Sequence, residues 1–217
     1  MKICIVGTHK SGSTRLFNLI RLMFEKKGKK VYTKWNILDK ELVKLENTND
    51  IVLCKIHDNS LDYINNYDIK ILPIRNILDS AISSVKRYNN KSIEFFKKQC
   101  IINIKLYKKF KDHVNFIFKY ENYNIFYIKQ LCTILNISLN NHEIIDIMKV
   151  LDKMHKSKSI VKNDDHNNKE YRKTLLSQQH NTSNGQTNKF VNLNHNVLTT
   201  IFKVQEIVDF LEETEYI

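Results

Sequence analysis

The sequence predicts an α/β domain built in three layers, with a mostly parallel β-sheet flanked by helices. Two observations carry that expectation. Short apolar runs alternate along the chain with longer stretches whose apolar side chains recur at helical spacing. The first such run, Lys2-Ile3-Cys4-Ile5-Val6, passes through a polar turn bracketed by Gly7 and Gly12 into a helical pattern at Leu16, Phe17, Leu19, Ile20 and Met23. At 217 residues the chain is long enough for one such domain with a sizeable core, and no repeat or second domain is visible.

Taken in order, the pattern predicts strands over residues 2–6, 30–33, 51–56, 69–74 and 114–120. Helices are predicted over 14–27, 39–45, 77–88, 92–111, 123–135, 142–155 and 197–212. Pro73 has no N–H to give a ladder, so the run over 69–74 must reach a strand end, an edge or a bulge there. Residues 156–194 are poor in large apolar side chains and rich in Asn, Lys, Ser, His and Gln. Such a stretch buries little, so it is expected to be a polar C-terminal loop or lid within a single domain spanning 1–217.

Composition narrows the class. The hydrophobic fraction of 42% is ordinary for a globular protein. The first apolar run is too short for a signal peptide, and no stretch approaches the roughly 20 apolar residues of a membrane span. A soluble chain with no membrane anchor is expected. Cys4, Cys54, Cys100 and Cys132 lie far apart in apolar segments with no CxxC pair, which reads as reduced core thiols in a reducing, cytoplasmic compartment. A net charge of +12 suggests a polyanionic partner. Its lysines are scattered over helical faces, as at Lys105, Lys108, Lys109 and Lys111 around Leu106 and Phe110. No basic block of the arm type occurs, so no direct nucleic-acid partner is expected, and a small polyanion suits the charge instead.

The turn after the first strand is an anion cradle. Its backbone N–H groups converge on one point, and the following helix adds partial positive charge there. The triphosphate loop G-x-x-x-x-G-K-[ST] would place a lysine after the second glycine. Here Gly7, Gly12 and Thr14 keep that spacing, but Ser13 holds the lysine position and Lys10 lies inside the turn. A lysine before the second glycine enters from the other side of the loop.

Two further constellations sit at predicted strand ends. Arg75 follows the run over 69–74, with Asn76 as an N-cap candidate and Asp79 in the first helical turn. Ser80 and Ser83 follow on the same helical side as Asn76, so a guanidinium fork and a hydroxyl could clamp a second phosphate. Cys54-Lys55-Ile56-His57 ends the run over 51–56, and strand alternation places Lys55 and His57 on one face. His9 is the competing histidine, since it lies in the loop itself. His166, in Asp164-Asp165-His166-Asn167, lacks a helical histidine or cysteine partner, so no metal site is expected.

Lys10-Ser11-Gly12-Ser13-Thr14 resembles the 5′-phosphosulfate loop of the PAPS-dependent sulfotransferase family, written P-K-S-G-T-T, with His9 at the proline and Ser13 for one threonine. Arg75 through Ser83 is similar to the family's 3′-phosphate motif R-[DN]-P-x-D-x-x-x-S, with Ile77 replacing the proline. Lys55 and His57 resemble its K-x-H, and Phe118-Lys119-Tyr120-Glu121-Asn122 resembles its chiefly structural Y-E-D turn. In the stretch from His180 to Phe190, Gly185 and Lys189-Phe190 resemble the family's C-terminal cofactor segment, although its tryptophan is absent. Arg15 stands where the family often stacks adenine on tryptophan, so no stacking residue is assigned.

The resemblance implies a P-loop-like α/β fold. It also implies in-line transfer of a sulfuryl group from PAPS (3′-phosphoadenosine 5′-phosphosulfate) to an acceptor hydroxyl or amine. On that basis Lys10 stabilises the leaving oxygen. The amides of residues 10–14, thus Ser11 and Gly12, hold the 5′-phosphate together with the Ser13 and Thr14 hydroxyls. Arg75, Ser83, Gly185 and Lys189 hold the rest of the cofactor. His57 is the base, with His9 as its competitor, and Lys55 neutralises the sulfonate. Lysines carry the charge work, so no metal is implied. The acceptor is a glycan, a peptide or a small molecule, and the oligomeric state has no sequence signature. Two other readings stand beside this one: a P-loop nucleoside or nucleotide kinase, and a non-catalytic nucleotide- or nucleic-acid-binding protein.

Overall fold

The computed structural model describes residues 1–35, 50–57, 61–156, 168–177 and 187–217. Its strands are β1 (Lys2–Val6), β2 (Val31–Trp35), β3 (Ile51–Ile56), β4 (Ile69–Ile74) and β5 (Phe116–Lys119). They form one sheet in the order β2-β3-β1-β4-β5, and every pairing is parallel. Alternation divides β1, β3, β4 and β5 between two cores, while β2 packs against one of them through Val31 and Trp35. Ile3 and Ile5 join one cluster, whereas Cys4 and Val6 join the other. On the first face lie α1 (Ser13–Lys26), α5 (Ile125–Ile134), α6 (Asn141–Lys156) and α7 (Lys169–Thr174). On the second lie α2 (Asp62–Asn65), α3 (Ile77–Tyr88), α4 (Ile93–Phe110), α8 (His195–Phe202) and α9 (Gln205–Glu213).

Helices begin where the chain supplies a cap. The side chains of Asn76, Ser92, Asn124 and Asn168 each accept from the first-turn N–H groups of the helix that follows. Pro73 sits where its ring is harmless. The ladder from β1 to β4 ends at Ile71, and the Pro73 carbonyl accepts from Thr8 Oγ1 at 3.0 Å instead. Pro73 therefore lies beyond the β1 ladder but still within β4, in register with Phe118 of β5, so only one of its two sides is a ladder end.

Besides the short α2, which the sequence reading lacks, two elements differ from it. The helix expected over 197–212 is two helices, with a break at Lys203 and Val204. Val197, Ile201, Val204, Ile207, Phe210 and Leu211 keep nearly helical spacing across the break and bury into one cluster. Apolar period reports the buried face and is blind to a backbone turn that keeps that face, here closed by Val204 N–H to the Ile201 carbonyl at 2.9 Å. The second difference lies in the polar stretch over 156–194, where residues 168–177 are not a solvated loop. Tyr171 and Leu175 enter the α1-side core, and Asn18 of α1 donates to the Thr174 carbonyl at 2.7 Å. Thr33 of β2 donates to the Arg172 carbonyl at 3.1 Å. A few apolar residues suffice there because α1 and β2 already provide the wall. The helix expected over 39–45 lies outside the described residues.

All four cysteines are buried and unbridged. Among the described residues, no helix is long and apolar enough to cross a membrane.

Tyr171 is 3% exposed. Tyr171→Ala is expected to lower the unfolding free energy by about 3 kcal/mol in a urea titration, as for other buried aromatic truncations. A loss below about 0.5 kcal/mol would mark 168–177 as a surface segment.

Candidate functional site

The strand order places a crevice at the carboxyl edge of β1. From β1 the chain moves outward to β2 and returns through β3, then crosses to β4 and β5 on the other side. Ligands of open α/β sheets bind at such a switch point. Because the sheet is wholly parallel, all five strands deliver a side chain or loop to that edge. These are Trp35 from β2, His57 after β3, the loop over residues 7–12 after β1, Arg75 after β4 and Tyr120 after β5.

The loop is held from several directions. Gly7 N–H donates to the Ile56 carbonyl at 2.8 Å, and His57 Nδ1 meets the Gly7 carbonyl at 3.0 Å. A Cβ on Gly7 would lie 2.3 Å from His57 Cε1, so only glycine lets that ring approach. Ser11 Oγ donates to the Thr8 carbonyl at 2.8 Å. Buried Asn103 of α4 clamps His9 at both ends of the residue: its Oδ1 accepts from His9 N–H at 2.7 Å, and its Nδ2 donates to the His9 carbonyl at 3.1 Å. That grip lets Lys10 adopt φ 58°, a left-handed conformation costly for lysine. Gly12 follows at φ 83° with its Cα against Tyr120, where a Cβ would lie 2.2 Å from Cδ2. Gly12 then opens α1, whose first-turn N–H groups have no intrahelical partner and face the loop.

Lys55 and His57 share one side of β3, as strand alternation requires. Buried Lys55 donates to Thr14 Oγ1 at 2.6 Å and lies 5.2 Å from the Trp35 ring. Because an ammonium only donates, Thr14 keeps its own hydroxyl hydrogen for another acceptor. The His57 ring lies 4.9 Å from Trp35 and 5.1 Å from His9. A carbonyl only accepts, so the His57 contact to Gly7 puts the proton on Nδ1 and the lone pair on Nε2. His9 is held below the usual histidine pKa, first by burial and then by Lys10, Lys55 and Arg87.

Arg75 emerges from β4 into the N-terminus of α3. Its guanidinium lies 3.6 Å from Asp79 Oδ2 and 4.8 Å from the Tyr120 ring centroid. Asn76 Oδ1 caps α3 by accepting from Leu78 and Asp79 N–H at 3.0 and 3.4 Å. Ser80 Oγ reaches the Lys10 carbonyl at 3.4 Å, and Ser83 Oγ donates to the Asp79 carbonyl at 2.9 Å. Asp79 Oδ1 also accepts from Phe190 N–H at 3.2 Å, which draws the turn Lys189–Asn192 onto α3. Lys189 is thereby pushed down to about 8, first by burial and then by Arg75 and Lys86, with Asp79 opposing. A lysine depressed beside an arginine is a pair of cations crowded together, and a phosphate between them would relieve the crowding.

Of the residues singled out in the sequence, the structure gathers Lys10, Ser11, Gly12, Ser13, Thr14, Lys55 and His57 around the loop, and Arg75, Ser83 and Lys189 around the start of α3. Gly185 lies outside the described residues. Arg15 turns away to Asp152 at 2.5 Å and to the Tyr123 ring at 4.4 Å. Asn103 and Trp35 escaped the sequence reading. Each sits inside an ordinary amphipathic or strand pattern, and nothing local marks a residue whose partner is 94 positions away. Among the described residues, no three His, Cys, Asp or Glu side chains converge as a metal site would require.

No protein-family model matches the chain, and no curated protein matches its sequence. Solved structures do match its fold. Mouse sulfotransferase SULT7A1, crystallised with PAP, is similar at a TM-score of 0.69 and 17% identity, over 93% of this chain and 81% of that one. Retinol dehydratase, crystallised with androsterone and the inactive cofactor PAP, is similar at 0.65 and 15% identity, over 97% of this chain and 80% of that one. The fold is that of the sulfotransferases, the P-loop-like α/β architecture expected from the sequence.

Asn103→Ala leaves both backbone groups of His9 without their partner. A loss of about 2 kcal/mol in unfolding free energy is expected by chemical denaturation, from two part-buried polar groups at about 1 kcal/mol or more each. A change near zero would mean that the loop holds its shape without the clamp.

Proposed function

We propose that this chain is a sulfotransferase that moves a sulfuryl group from PAPS to an acceptor hydroxyl or amine. The observation that carries the proposal is the Tyr120 ring, which touches Gly12 of the loop and stacks with Arg75. The glycine loop and the arginine site thus meet on one side chain, as a ligand with two separate phosphate groups would need. A P-loop kinase would carry a lysine where this chain has Ser13, and it would leave the Arg75 cluster without a task. The likeness of the fold to two proteins crystallised with PAP supports the same reading.

The chain's residues suit the cofactor. Gly12 lets the Tyr120 ring close against the loop, and the Lys189 ammonium is depressed beside Arg75. When bound, PAPS supplies an activated sulfuryl group on its 5′-phosphate, whose transfer leaves PAP. The amides of residues 10–14, with the Ser13 and Thr14 hydroxyls, hold the 5′-phosphate. Lys10 neutralises charge at the oxygen joining phosphate to sulfur, a role for a preorganised cation. Lys55 balances charge on the sulfonate side and keeps Thr14 oriented. Arg75, Ser83 and Lys189 hold the 3′-phosphate. His57 takes the acceptor proton on Nε2, since its Nδ1 is bound to the Gly7 carbonyl. His9 is neutral at pH 7 and stands beside it as a second wall of the acceptor space. The acceptor itself is a glycan, a peptide or a small molecule.

PAP at 100 times its Kd is expected to stabilise the protein by about 2.7 kcal/mol, or roughly 5–10 °C in Tm. A clear shift with ATP and Mg²⁺ but none with PAP would overturn the proposal. With a simple phenol as acceptor, His57→Ala should lower PAP release by about 10²-fold or more and leave PAP affinity unchanged. Full activity in that variant, with a dead His9→Ala, would move the base to His9.

PAP affinity should depend on pH through Lys189. Its pKa near 8 means that it is charged in the unliganded protein below that pH, and a bound phosphate raises the value. Affinity should therefore be level from about pH 7 to 8 and fall as pH rises past 8. Calorimetric titrations at pH 7 and 9 should show the fall in the native protein, and Lys189→Met should abolish it.

A further inference from the structure

We infer that Tyr216 is a positioning residue for the 3′-phosphate site, acting through Glu121 on the peptide that follows Arg75; the inference rests on the function proposed above. After α9 the chain folds back on itself. Thr214 Oγ1 donates to the Phe210 carbonyl, Glu215 turns at φ 57°, and Tyr216 N–H donates to the Leu211 carbonyl at 2.7 Å. This brings the Tyr216 hydroxyl to Glu121 Oε2 at 2.6 Å, a charge-assisted length. The other oxygen of the same carboxylate accepts from Asn76 N–H at 3.0 Å. That N–H belongs to the peptide bond joining Arg75 to Asn76, where the chain leaves β4 and enters α3.

One carboxylate is therefore held at both ends. It anchors the peptide immediately after Arg75. It also lies in the short turn Tyr120–Asn122, next to the Tyr120 ring that the Arg75 guanidinium covers. Burial and the neighbouring Glu121 push the Tyr216 hydroxyl well above the usual tyrosine range, so it stays a donor at all working pH values. The hydroxyl is not what docks this segment. The Tyr216 ring packs against the α3-side core, and Glu215 pairs with Lys119 at 2.6 Å. Loss of the hydroxyl alone should free one oxygen of Glu121 while the segment stays in place.

The test is Tyr216→Phe, which deletes only the hydroxyl, with calorimetric titration of PAP and of adenosine 5′-monophosphate, which lacks the 3′-phosphate. PAP should bind about three- to tenfold more weakly and the monophosphate as before, with Tm nearly unchanged. Glu121→Gln, which weakens both ends of the bridge, should show the same ligand-selective loss. Equal weakening of both ligands, or no weakening of PAP, would overturn the role. A native protein that binds PAP no better than the monophosphate would instead remove the 3′-phosphate site itself, and this role with it.

Discussion

The ring of Tyr120 lies against Gly12 on one side of the crevice and stacks with the Arg75 guanidinium, and much of the site is arranged around that contact. The ring arrives from the end of β5, the loop from β1, and Arg75 from β4. These three strands are neighbours in the sheet, so a single side chain can touch what both other strand ends deliver. The contact also explains a residue choice. At φ 83° and with an aromatic ring on its Cα, position 12 admits only glycine. Glu121 supports the arginine side of this contact, accepting from Asn76 N–H at 3.0 Å.

The loop itself is shaped by polar contacts from elsewhere in the fold rather than by its own sequence. Thr8 reaches Pro73, Asn103 grips His9, and His57 meets Gly7. A left-handed Lys10 persists because its neighbours over-determine it. On the proposed function this amounts to preorganisation: the loop is shaped before any anion arrives, so little reorganisation is needed when charge develops. Crowding of Lys189 against Arg75 is the electrostatic counterpart, with like charges held near each other by Asp79 and by the packing of the Lys189–Asn192 turn.

Much of this was legible before any fold was seen. The strands at β1, β3 and β4 and the helix α3 fall where apolar period and capping residues put them, because each buries one or two continuous faces. Gly7, Lys10, Gly12, Lys55, His57, Arg75 and Ser83 were legible because short-range spacing carries their geometry along one strand or one helix turn. Other features were not. Helices α8 and α9 share one apolar face, so period could not reveal the break at Val204. The burial of Tyr171 and Leu175 depends on the wall that α1 and β2 offer. Asn103, Trp35 and Tyr216 look like ordinary residues until the chain brings them against the loop, His57 and Glu121.

By itself the sequence determined an α/β chain with a glycine-bracketed turn after its first strand, a lysine inside that turn and an arginine at a later strand end, since these are written in local period and spacing. The tertiary structure decided that Gly12 of the loop and the Arg75 guanidinium share one tyrosine ring, that His57 meets Gly7 through Nδ1, and that Tyr216 reaches back to Glu121 at the base of Arg75. Such facts depend on which strands are neighbours and on where distant side chains meet. Contacts between residues 50 to 100 positions apart leave no periodic trace in one chain.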